Sequence, residues 1–143
     1  MASCSRHVRR PDEARPRATK GPAWRWWIDV VAGNVSARVE LRRLVGVRVD
    51  GFDVVRLDDL WASSHLAAGV AARSFDFVGD DGFRLGDLQA SGVDVRDLST
   101  GYMRIDTRDL LWQPVPERPC FWRVKAVARM LALETEVQRR GAP

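Results

Sequence analysis

Histidine, cysteine and tyrosine are scarce in this chain: two His, two Cys and one Tyr occur in 143 residues. Cys4 and Cys120 do not make a disulfide framework. Cys4 falls in the N-terminal stretch, so no bridge to Cys120 is expected, and the usage suits a reducing, cytoplasmic setting. His7 and His65 stand far from each other and from the cysteines, so the paired spacing of a zinc site is missing. Neither G-x-x-x-x-G-K-S/T nor G-x-G-x-x-G occurs, which removes both phosphate cradles. Without G-x-S-x-G there is no serine elbow. No apolar run approaches the roughly 20 residues that cross a bilayer. The polar start, Met1 to Pro11, lacks the apolar core of a secretory signal. No membrane partner, metal site or catalytic residue is therefore assigned.

What is present fits one domain. The chain is 45% apolar and 29% charged, ordinary for a globular protein. A chain of this length can bury about 68% of the surface it exposes when unfolded, so it needs no metal to hold it. The net charge of +4 is unevenly spread. Residues 1–22 hold six basic residues against Asp12 and Glu13, and residues 23–143 hold 17 of each sign. That first stretch has almost no large apolar residue and cannot offset its ordering entropy. It reads as a disordered basic tail ending at Gly21-Pro22, with a globular domain over 23–135 and a frayed end over 136–143. Only the tail offers nucleic acid a basic footprint; the alternative is a solubilising leader.

Strand patterns dominate the body. Trp24 to Ala32 is aromatic and β-branched and reads as a strand. Val35 to Arg42 alternates apolar and polar, a strand with one buried face, with a short helix over Glu40–Val45 as the competing reading. Val47 to Val55 carries Asp50-Gly51 between two alternating segments, the signature of a tight hairpin. Leu57 to Ala68 reads as a helix ended near Gly69, with acids early to suit the helix dipole. Ser74–Val78 is a strand, Gly79–Gly82 a turn, and Phe83–Leu85 returns. Residues 86–98 read as a loop with one helical turn. Gly101–Asp106 and Asp109–Gln113 are strands, and Pro114, Pro116 and Pro119 stiffen the loop that follows. Residues 120–133 alternate and read as one long strand, with a helix as the alternative. The expected class is α+β: a strand-dominated mixed-sheet domain with one or two short helices.

Six tryptophans are many for this length. Most are core candidates, since aromatics carry large buried areas. Trp24, Trp26 and Trp27 cannot all face inward on one strand, which points to a protein partner or a homodimer at that face. Other groupings have plainer readings. Ser63 or Ser64 beside His65 are sequence neighbours that do not face each other on a helix. Asp80-Asp81-Gly82 makes a turn, and Asp58-Asp59 serves a helix start.

From residue 54 onward, VVRLDDLW (54–61), FDFVGDDGFR (75–84), GYMRID (101–106) and FWRVKAVARMLAL (121–133) follow one another in an order that resembles the molybdopterin-binding domain of the sulfite-oxidase family. Asp81-Gly82-Phe83 matches that family's turn, and Val124-Lys125 the start of its closing strand. The resemblance covers about 80 of the 143 residues. It implies that Lys125 faces an organic cofactor, molybdopterin, with Arg123 two positions away on the same strand face. It also implies a molybdenum-ligating cysteine in the first half of the domain, where this chain has none, and a cluster of pterin-binding His and Arg that is missing too. The function implied is a non-catalytic binding or accessory module, a truncated relative of those domains. A nucleic-acid or acidic-partner binder led by the tail and an oxidoreductase-like cofactor protein are the alternatives.

Overall fold

Ile28, Val30 and Ala32 alternate with Trp27, Asp29 and Val31, and the period of two sends the first set into the interior. They form strand β1 (Trp27–Ala32) in a computed structural model that describes residues 26–113 and 118–133. Trp24, residues 1–22, Pro114, Pro116 and residues 136–143 lie outside the described residues. Gly33, at φ +65°, turns the chain into β2 (Val35–Glu40), which pairs antiparallel with β1.

The two readings of residues 40–45 each hold in part. The strand runs to Glu40, and a 3₁₀ turn occupies Leu41–Arg43 and buries Leu41. The hairpin is as expected. β3 (Val47–Val49) and β4 (Phe52–Arg56) join through Asp50 and Gly51, both at positive φ, as a type I′ turn requires. The helix α1 (Leu57–Ser63) stops short of Gly69. The Ser64 hydroxyl donates to the Trp61 carbonyl and accepts from Leu66 N, and His65 takes φ +64°, so the side chain of Ser64 competes with a further helical turn.

β5 (Ser74–Gly79), β6 (Val93–Asp94), β7 (Gly101–Arg104), β8 (Leu110–Trp112) and β9 (Val127–Leu133) complete the strands. A five-stranded mixed sheet has the order β2-β1-β9-β5-β6, with β1 and β9 parallel. A four-stranded antiparallel sheet has the order β3-β4-β7-β8. With a single α-helix among the described residues, the fold is α+β and strand-dominated.

The long strand expected over 120–133 is corrected. Cys120–Trp122 forms a 3₁₀ turn, and β9 begins only at Val127. Ala126 sits at φ +47°, and the β5–β9 register slips between Val78 and Gly79. Each breaks the alternation, which is why Val124, Val127 and Met130 are all buried despite their mixed parity.

One apolar core joins the sheets and α1, with Phe75, Phe77, Leu57, Leu60, Met103 and Met130 fully buried. Burying each such side chain contributes roughly 1.5–3 kcal/mol. Trp112 and Trp122 meet edge-on at 4.9 Å, and the Trp112 indole N–H donates to the Trp122 carbonyl. Trp61 meets Phe75 at 5.0 Å. The reading of tryptophans as core material holds for Trp112 and Trp122, while Trp61 is partly buried against the core.

A buried polar joint ties the turn after β7 to the first sheet. Arg108, 6% exposed and at φ +65°, donates to the Val127 carbonyl at 3.0 Å and to Asp80 at 2.7 Å. Asp109 accepts from the Ala126 N–H at 2.9 Å. No helix among the described residues is long and apolar enough to cross a membrane.

Candidate functional site

Beside the β3–β4 hairpin lies an open cleft of about 650 Å³. Trp26 enters it from just ahead of β1, the 3₁₀ turn contributes Arg42, the hairpin contributes Val47, Arg48, Phe52 and Asp53, and the end of β7 leads in Ile105 and Asp106. Val47, Phe52 and the adjacent Val45 are apolar yet 38%, 37% and 76% exposed. A local concentration of such side chains on a small domain marks a binding surface more often than isolated ones do.

Arginines cover the aromatic walls. The Arg42 guanidinium lies 4.8 Å from the Trp26 ring centre and is held by Glu40 at 2.6 Å. Arg104 lies 4.0 Å from the Phe52 ring centre and is held by Asp106 at 2.7 Å. Arg48 and Asp53 pair at 2.6 Å across the hairpin. The hydrogen bond from Arg104 holds the Asp106 carboxyl below the ordinary aspartate range, and partial burial opposes this. Aromatic walls with arginine on them are the composition enriched in protein interfaces. The charges are matched within the cleft, so they favour an uncharged or mixed occupant over a nucleic-acid backbone.

The residues singled out from sequence are placed as follows. Trp26 lines the cleft. Trp27 does not: it opens β1, and Arg38 of β2 lies 5.0 Å from its ring centre. Its indole N–H is buried with no acceptor among the described residues. Arg123 and Lys125 are exposed, with no ion pair or hydrogen bond from either side chain among the described residues. They precede β9 rather than belonging to it, so the shared strand face expected for them is not formed.

Cys120 is disulfide-bonded, which corrects the expectation that it takes part in no bridge. The cysteine argument for a reducing compartment falls with it. His65 is exposed and Ser64 is buried in its own backbone hydrogen bonds. Asp81 accepts from Phe83 N and Gly82 takes φ +92°, so that segment is a turn. Asp80 differs from this reading in its ion pair with Arg108. No three His, Cys, Asp or Glu residues among the described residues come together as a metal would need.

Phe52, Val45, Val47 and Ile105 were missed as site residues. For Phe52 and Val47 the one sequence signal was the hairpin itself, whose alternation says that one face is apolar but not whether another element covers it. No family model matches the chain, and no curated protein or solved structure matches it.

Proposed function

We propose that this domain is a binding or accessory module that receives a protein partner in the cleft beside the β3–β4 hairpin. The observation that carries this reading is the open cleft walled by Trp26, Phe52, Val47 and Ile105, with the exposed Val45 beside it. The relation to molybdopterin-binding domains is part of the proposal, supported by the Asp81-Gly82-Phe83 turn between β5 and the returning bridge Val78–Arg84. The residues present do not fit the metal of those domains. Among the described residues the one cysteine is Cys120, and its sulfur is already in a disulfide rather than available as a thiolate. No chemical step is derived through that group.

A second reading places an organic anion against Arg123 and Lys125. It is supported by the exposure of both side chains and their lack of partners among the described residues. The tail-led alternative rests on residues outside those described.

A display library of random peptides selected on the full chain separates these readings. Peptides recovered on the wild type bind Phe52→Asp and Val47→Asp at least about tenfold more weakly, a loss of roughly 1.4 kcal/mol. Equal binding to wild type and both variants contradicts the cleft as the partner site.

A further inference from the structure

The hairpin β3–β4 ends its sheet, and among the described residues β3 has no strand on its outer side. The turn at Asp50–Gly51 sets Val49 opposite Phe52, Arg48 opposite Asp53 and Val47 opposite Val54. Residues that close a two-residue turn exchange ladder hydrogen bonds, and bonded and non-bonded pairs then alternate. Val49 and Val47 are thus at bonded positions, while Arg48 directs its N–H and C=O away from β4. Proteins commonly blunt such an edge with shortness, charge, proline or a covering element, and β3 keeps two of these, its three-residue length and Arg48. It also carries the exposed Val47, with the exposed Val45 just before it, and it borders the cleft.

We infer that β3 takes up an extended segment of the partner polypeptide as an added strand, bonded through the outward N–H and C=O of Arg48, with an acidic residue opposite the Arg48 guanidinium and apolar residues on either side. This rests on reading the adjoining cleft as the partner site. Charge selects the occupant. The Arg48 side chain is 65% exposed and, among the described residues, is met by the carboxylate of Asp53 alone, so an acid on the added strand supplies a second carboxylate. A second copy of β3, paired antiparallel about Arg48, would set guanidinium against guanidinium, and like charges directly opposite are destabilising. The edge therefore disfavours its own copy and favours an acidic strand. Alternation places the two neighbours of that acid on the face of Val47 and Val49. In this mode main-chain hydrogen bonds supply affinity, and alternate side chains supply specificity.

The probes are the end-blocked peptide Thr-Val-Glu-Val-Thr and its counterpart Thr-Val-Lys-Val-Thr, titrated into the full chain and followed by amide exchange and nitrogen–proton correlation spectra. The acidic peptide slows exchange of the Arg48 N–H about tenfold and binds several-fold more tightly than the lysine peptide. Arg48→Glu reverses that preference. Arg48→Pro removes the outward donor without touching the bonds to β4 and weakens both peptides. Equal binding of the two peptides overturns the charge assignment. Shifts at Trp26 and Phe52 without protection at Arg48 overturn strand addition while the cleft reading stands. Absence of any shift at edge or cleft overturns strand addition as well, and the library-selected peptides then judge the cleft separately.

Discussion

Arg104 bridges two unlike neighbours: its guanidinium carbon lies 4.0 Å from the centre of the Phe52 ring, and its Nη2 donates to Asp106 at 2.7 Å. The cation over the ring is held in place by the carboxylate, so the aromatic wall of the cleft depends on an ion pair at its rim. The same hydrogen bond raises Arg104 and lowers Asp106.

A depressed carboxyl contributes fully at neutral pH and loses its contribution as pH falls through the lowered value. The Asp106 carboxyl, followed by carbon resonance, is expected to titrate at lower pH in the wild type than in Arg104→Gln. The Phe52 ring resonances move with the same midpoint. Asp106 is 61% exposed, so the pair adds no more than about 1 kcal/mol. An unchanged midpoint in Arg104→Gln contradicts the pairing.

Phe52 and Phe77 separate cleft from core. Phe77 is fully buried and Phe52 is 37% exposed. Phe77→Ala is expected to cost about 3–5 kcal/mol in urea unfolding, and Phe52→Ala less than about 1 kcal/mol. Comparable losses would mean that Phe52 is a structural residue and the cleft wall part of the core.

Asp76 is a buried carboxylate, 3% exposed, whose oxygens accept from Phe77 N, Gly86 N and two nitrogens of Arg84. Asp76→Ala orphans the Gly86 N–H and is expected to cost about 2–3 kcal/mol. Gly86→Ala disturbs the same network from the other side, because a Cβ there would stand 2.6 Å from an Asp76 oxygen. Urea midpoints of both variants below the wild type, with unchanged slopes, check this.

Ala126 holds a left-handed backbone at φ +47° where the chain enters β9. Ala126→Val is expected to cost about 1–2 kcal/mol, because a β-branched side chain fits that region poorly. Ala126→Gly is expected to be neutral or mildly stabilising. Thermal melts of the two variants on opposite sides of this order would contradict the strain.

Local chemistry made much of this fold legible. Asp50-Gly51 specified its hairpin because both residues tolerate positive φ, and the alternation from Ile28 to Ala32 specified a half-buried strand. Residues 120–133 misled for a physical reason: alternation survives on paper through Ala126, but a left-handed residue and a register slip reset the parity of the strand. The site was only partly legible. Trp26 was singled out because adjacent tryptophans cannot share one face. Phe52 and Ile105 were not, since whether a sheet face is covered depends on distant segments.

The sharpest measurement is to map a library-selected peptide onto the full chain by nitrogen–proton correlation spectra. The cleft reading predicts the largest shifts at Trp26, Val47, Arg48, Phe52 and Ile105, with Arg123 and Lys125 unmoved. Shifts centred on Arg123 and Lys125, with the hairpin silent, would contradict it.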